Sequence, residues 1–298
     1  MTYSIVARDP DTGRLGVAVQ SHWFSVGSVV TWGEAGVGVV ATQAFAEPSY
    51  GPLGLDLMRG GKSATDALIA LTSVDAQADR RQVAMVDASG VVATHTGEKC
   101  LGAAGHRAGA TFSAQANMML RHTVWDAMAD AFESSAGDLV DRLLDALDAA
   151  EAEGGDIRGR QSAAILVVGG ERAPHSAAGR VLELRVEDHP DPLPELRRLV
   201  GVKRAYDRMN EGDGHLARED FESAFREYEA AQASVPGNVE FTFWRGVMLA
   251  NFGKVDEARA FLARTYEATG EWEELLRRLP SVGLLSEDVL VRVLDEGS

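Results

Sequence analysis

The sequence predicts an α+β domain followed by a smaller all-helical one. Three observations carry that expectation. Short apolar runs separated by turn residues recur from the N-terminus to about residue 186. Helical periodicity interrupts them twice, each time as a pair of helices rather than as the single crossover of a βαβ unit. Beyond Asp188-His189-Pro190-Asp191-Pro192-Leu193-Pro194, the pattern is helical throughout. Proline-rich, polar stretches of this kind mark joints, so the boundary is set at residues 189/190.

The first hairpin organises the chain. Residues 3–7 are β-branched and apolar, Asp9-Pro10-Asp11-Thr12-Gly13 is turn chemistry, and residues 15–19 form a second apolar run. Two more strands are expected at 26–32 and 37–44, turned by Gly33-Glu34-Ala35-Gly36. The run 37–44 is nearly all apolar, as in a strand buried on both faces. A helix starts near Leu53 and stops at Gly60-Gly61. A second is capped by Ser63, with Asp66 at the capping-box position. Strand signals return at 82–86 and 91–95 around Asp87-Ala88-Ser89-Gly90, and again at 111–116. Amphipathic helices follow at 123–133 and 138–153, the latter with Leu139, Leu143, Leu144 and Leu147 on one stripe. A buried strand at 162–168 and another at 181–186 close the domain.

The tail predicts helices at 195–209, 217–234, 239–252 and 255–269, with a capping helix near 271–278. Phe221, Phe225, Tyr228 and Ala231 precede Pro236, and Trp244, Gly246 and Leu249 precede Gly253, Ala258 and Tyr266. This spacing resembles roughly one and a half tetratricopeptide repeats. An array that short leaves apolar faces needing cover, which predicts a homodimer or packing on a partner protein.

Composition bounds the function. The chain has 298 residues, 45% hydrophobic and 25% charged, with a formal net charge of −16. Such acidity argues against non-specific binding to nucleic acid or anionic membranes. One cysteine, Cys100, permits no intrachain disulfide. With no signal-peptide pattern and no long apolar run, a cytoplasmic location is expected. His95, Cys100 and His106 match no zinc spacing, and no helix follows Gly33, Gly36 and Gly38 to make a dinucleotide fingerprint. No metal or cofactor is expected.

Thr2 sits at the outer end of the first strand. Once Met1 is removed, Thr2 carries a free α-amine beside its own hydroxyl, so nucleophile and general base share one residue. The ordinary alternative is a strand-start threonine placed for its β-propensity. Ser21 ends the second strand, where an in-register hairpin brings it beside Thr2. It is read as a partner of the α-amine, against a simple turn serine. A Ser–His pair from His22 with Ser21 or Ser25 is a chance-level pattern. Gln43 is polar at the end of an apolar strand and needs a partner or ligand. Asn117 could donate to an oxyanion. Asp156, Arg158, Gln161 and Ser162 form the densest polar cluster, as pocket lining or as caps and ion pairs between helix and strand. Arg158 could grip a substrate carboxylate with its planar fork. The only lysines are Lys62, Lys99, Lys203 and Lys254, and none lies in the first four strands.

The first 190 residues resemble a bacterial family, domain of unknown function 1028, placed in the Ntn-hydrolase superfamily. The stretches that carry the resemblance run from Thr2 to Asp9, from Gly16 to Ser21, from Gly36 to Gln43 and from Pro48 to Gly54. Further on come His95-Thr96-Gly97, Gln115-Ala116-Asn117-Met118 and the run from Gly155 to Ala164. The resemblance implies an αββα sandwich, two antiparallel sheets between helix layers. It also implies hydrolysis of a carbon–nitrogen bond by an N-terminal Thr, Ser or Cys, here Thr2. The absence of a nearby lysine departs from a proteasome-like pattern and favours a small, anionic amide over a protein substrate. The rival expectation is a non-catalytic binding or scaffolding protein that recruits a partner through its repeats.

Overall fold

A computed structural model describes residues 2–175 and 177–295. The chain divides into two compact units, Met1–Arg198 and Leu199–Ser298. Among the described residues of the first unit, ten strands form two antiparallel sheets. The six-stranded sheet has the order β10-β9-β2-β1-β8-β7, with β1 Thr2–Arg8, β2 Leu15–Ser21, β7 Gly105–Ala108, β8 Phe112–Asn117, β9 Ser162–Val168 and β10 Arg180–Val186. The four-stranded sheet has the order β3-β4-β5-β6, with β3 Thr31–Glu34, β4 Gly38–Ala44, β5 Arg81–Asp87 and β6 Val92–Thr96.

Period-two alternation decides which side chains meet. On β1, Val6 joins Leu15, Val17 and Val19 of β2 and Ala164, Leu166 and Val168 of β9. These face Val39 and Ala41 of β4 and Ala84 and Val86 of β5, forming an apolar core between the sheets. The alternate residues of β1 and β2, among them Tyr3, Ile5 and Ala18, are equally buried. They lie on the face covered by α4 Val124–Ser134 and α5 Leu139–Ala152. The four-stranded sheet is covered by α2 Tyr50–Arg59 and α3 Ala64–Val74. Ser63 Oγ accepts from the Asp66 amide at 3.1 Å, as its capping position predicts.

Several elements differ from their sequence expectation. Residues 26–30 are not strand. Gly27–Val30 is a single helical turn, α1, and only Thr31–Glu34 pairs in the sheet. Val26 and Val30 stand four apart, and the turn buries both in the inter-sheet core. The Thr31 hydroxyl and the Trp32 indole donate back to carbonyls of that turn. Strand β7 gives little sequence signal because it is a short, half-polar strand at the sheet edge. The division lies nine residues beyond the boundary expected at 189/190: Pro192 opens α6 Pro192–Leu216, a 25-residue helix within which the two units divide. Proline is tolerated there because the first helical turn needs no backbone donor.

The second unit is helical. It continues with α7 Phe221–Ser234, α8 Val239–Asn251, α9 Val255–Ala268, α10 Glu271–Arg278 and α11 Glu287–Leu294. Phe241, Phe243, Leu249, Ala258 and Leu262 are fully buried in its core. Among the described residues no helix is long and apolar enough to cross a membrane.

Candidate active site

Strand register builds the site. Thr2 pairs with Ser21 on one side and Asn117 on the other, and Ser21 pairs with Ser162. Directly paired residues of antiparallel strands project to the same face. The open end of the six-stranded sheet therefore presents a polar row, Ser162–Ser21–Thr2–Asn117. On the facing sheet Gln43 pairs with Gln82. The inter-sheet core, aliphatic elsewhere, is polar at this end, and its polar side chains are buried. Thr2 is 4% exposed, and Ser4, Ser21, Gln43, Gln82, Ser113, Gln115 and Asn117 are buried.

Burial of so many polar groups is tolerable only if they are paired. The Thr2 hydroxyl donates to Ser21 Oγ at 3.1 Å. The Thr2 carbonyl accepts from Gln43 Nε2 at 3.2 Å and from Asn117 Nδ2 at 3.3 Å. Both of these amides also donate to Gln82 Oε1, at 2.7 and 2.9 Å. Gln82 Nε2 is in turn held by the Ala116 carbonyl and the Thr96 hydroxyl. A second tier follows one pleat deeper: Ser4 Oγ donates to Gln43 Oε1 at 2.7 Å and accepts from Gln115 Nε2 at 2.6 Å. Asn117 Oδ1 is buried with no hydrogen-bond partner among the described residues. The chain leaves both sheets abruptly here, because Ala44 and Met118, the residues after Gln43 and Asn117, have φ of 71° and 57°. Left-handed backbone in non-glycine residues is costly and concentrates at functional sites.

A cavity of about 350 Å³ opens on this end. Its lining includes Thr2, Ser21, Gln43 and Arg158 from the expected set. Aliphatic Val26, Val29 and Val30, the aromatics Trp23 and Phe45, and Arg81 complete most of the wall. Asn117 is not part of the lining. Both hydrogens of its Nδ2 are committed to Thr2 O and Gln82 Oε1, which leaves none for an oxyanion. Asp156 is a buried tie: its carboxylate accepts from the His22 amide, the Arg158 amide and the Arg158 guanidinium, the last at 2.8 Å. Ser162 joins loop to strand, accepting from the Val26 amide and donating to the Trp23 carbonyl. Gln161 turns away to Asp188. Met1 lies outside the described residues.

Arg81, Gln82, Ser4 and Gln115 escape sequence reading. The signal was present as polar residues two apart at strand ends: Thr2 and Ser4, then Ser113, Gln115 and Asn117. Among the described residues, no three His, Cys, Asp or Glu side chains could hold a metal ion. His95 and His106 bond instead to the Ala78 carbonyl and the Thr96 hydroxyl. Among the described residues no lysine lines the cavity.

Comparison with known proteins agrees with this architecture. The model of the tetratricopeptide repeat matches residues 209–271. A crystal structure of protein SPO2555 from Silicibacter pomeroyi, itself assigned to DUF1028, is 35% identical. The match covers 67% of this chain and 84% of that one, with a TM-score of 0.60. No curated protein matches the chain. The family model described as a family of unknown function, DUF1028, matches residues 2–196, and the chain belongs to that family.

Proposed function

We propose that the protein is an Ntn-type amidohydrolase that cleaves a carbon–nitrogen bond of a small amide, with Thr2 as nucleophile. In this reading the two packed sheets and their outer helices are the αββα sandwich of that superfamily. One observation carries the proposal: the hydroxyl of residue 2 lines a cavity, 3.1 Å from a second hydroxyl, inside a buried polar network that grips its carbonyl. A structural threonine needs no such setting.

Removal of Met1 frees an α-amine with an ordinary pKa of about 7.7–8.0, suited to a general base near neutrality. Thr2 Oγ1 attacks the amide carbonyl carbon, and its proton passes to the amine, with Ser21 Oγ as the hydrogen-bond partner on that route. The protonated amine then returns the proton to the leaving nitrogen, and water hydrolyses the resulting ester. Asn117 changes role from the sequence expectation. Its buried Oδ1, without a partner among the described residues, lies one strand from Thr2 and accepts a hydrogen bond from the freed ammonium.

Intact mass of the protein from its native host tests the premise, and full retention of Met1 refutes it. For the trimmed protein, a screen of small amides should find a substrate whose turnover Thr2→Ala abolishes. Unchanged turnover in that variant sinks the role of Thr2. A second reading rests on the repeat match at residues 209–271: a binding or scaffolding protein that recruits a protein partner through its helices. It gains support if trimmed protein turns over nothing while a partner is captured by the helical unit alone.

A further inference from the structure

We propose that the cavity selects an amphipathic monocarboxylate, and that Arg81, rather than Arg158, receives its carboxylate. This names the substrate class of the amide hydrolase proposed above and rests on that reading only for where the scissile bond lies.

The charge of the lining is the first observation. The chain carries a formal net charge of −16, yet the residues around the cavity include two arginines and no Asp or Glu. Among the described lining residues the charged ones are both cationic, which favours an anionic ligand, although each has a carboxylate partner behind the wall. The two arginines are not equivalent. Arg158 places Nε and Nη2 on the two oxygens of Asp156, a carboxylate with no exposed side-chain surface. That pairing commits two of its nitrogens to one carboxylate. Arg81 is only 9% exposed, so the cavity is where a ligand can meet it. Its Nε donates to Asp75 at 2.9 Å and its Nη1 to the Phe45 carbonyl. Nη2 makes no hydrogen bond among the described residues. Asp75 forms an ion pair with Arg81 and, like Asp156, is shared, accepting also from the Tyr50 hydroxyl and the Gln77 amide; what sets Arg81 apart is its Nη2. A buried arginine with one uncommitted nitrogen is an anchor for a carboxylate oxygen.

The remaining wall defines the other half of the ligand. Val26, Val29, Val30, Ala44 and Ala46 offer aliphatic surface, while Trp23 and Phe45 stand at the mouth 59% and 52% exposed. Large exposed aromatics beside a cavity mark a site that covers an apolar group. Strand pairing sets Arg81 beside Ala44, one residue beyond Gln43 and on the alternate face, and from the end of its strand Arg81 joins the cavity lining. The ligand thus carries its acid at Arg81, its apolar body under Trp23 and Phe45, and its amide at Thr2. An N-acyl amino acid with an aryl or alkyl acyl group has this layout.

Isothermal titration of the intact, Met1-trimmed protein tests the proposal with three probes: N-benzoylglycine, its methyl ester, and N-acetylglycine. The acid should bind at least tenfold more tightly than the ester, which lacks the charge, and than N-acetylglycine, which lacks the aryl group. Arg81→Gln should erase the preference for acid over ester, and Arg81→Lys should restore part of it. Should Arg81→Gln not fold, the acid-to-ester ratio in the parent protein and in Arg81→Lys decides alone. Equal affinity for acid and ester, or no binding of any probe, overturns the proposal. Tight binding of the acid without hydrolysis keeps it and removes the hydrolase reading. Hydrolysis of the ester-blocked amide as fast as the acid does the reverse.

Discussion

Replacing Gln82 by leucine tests whether the buried polar row is a single network. Gln82 Oε1 is the common acceptor of Gln43 Nε2 and Asn117 Nδ2, the two amides that hold the Thr2 carbonyl. Leucine keeps much of the volume but leaves one buried Asn117 N–H without an acceptor and one Gln43 N–H with only the Gln115 carbonyl at 3.4 Å. A buried donor stripped of its partner costs about 1–3 kcal/mol. One donor stranded and one weakened put the loss at about 3 kcal/mol, a large part of the ~5–15 kcal/mol that holds a domain together. For a unit of this size that corresponds to a fall in Tm of roughly 6–12 °C. Because the chain has two compact units, a single unfolding transition cannot be assumed. Trp23, Trp32 and Trp125 belong to the first unit and Trp244 and Trp272 to the second. Urea unfolding followed by tryptophan fluorescence in a Trp244→Phe/Trp272→Phe background therefore reports the first unit alone. In the same background, Gln43→Leu/Gln82→Leu should cost less than the sum of its single changes, since each removes a group the other leaves stranded. A Gln82→Leu effect within about 0.5 kcal/mol, the range of an ordinary surface change, would show that the pairing carries no energy and would refute the reasoning.

Further outcomes follow from the same structure. His106 sits at the exposed sheet edge, and partial desolvation there, with the neighbouring His95, holds its pKa somewhat below the ordinary value. A neutral base favoured by the fold gives stability that is complete above the unfolded pKa of about 6.5 and is lost as pH falls through the folded value. His106→Gln should flatten that acid limb in a pH series of unfolding midpoints; an unchanged limb assigns it to other groups. In α8 a methyl group added at Gly246 would lie 2.7 Å from Leu262 Cγ, so Gly246→Ala should destabilise the helical unit by about 1–3 kcal/mol through overpacking, read from the transition reported by Trp244 and Trp272. Gly51→Ala should do the same in the first unit, where the new Cβ would meet the Trp32 ring at 2.2 Å; normal stability there would mean that the indole has room to move.

What the sequence determines here is local and periodic. The first hairpin, its turn and the strand at 162–168 follow from alternation and turn chemistry, and Ser63 caps its helix because the signal lies within four residues. The register of a tight hairpin also sets Ser21 beside Thr2 without help from the rest of the chain. Tertiary structure decided everything that needs a second element. The turn at Gly27–Val30 exists because the inter-sheet core receives Val26 and Val30 together, although each residue alone favours a strand. Gln82 and Arg81 gain their positions from a strand some forty residues after Gln43, a pairing that no local pattern specifies. Asn117 and Arg158 are polar in the expected places, but their partners, Gln82 and Asp156, decide what they have left to offer a ligand. The first strand was legible as a strand from its own residues. That its first hydroxyl lies at the floor of an apolar, arginine-lined cavity is a property of two sheets meeting, and packing alone determines that.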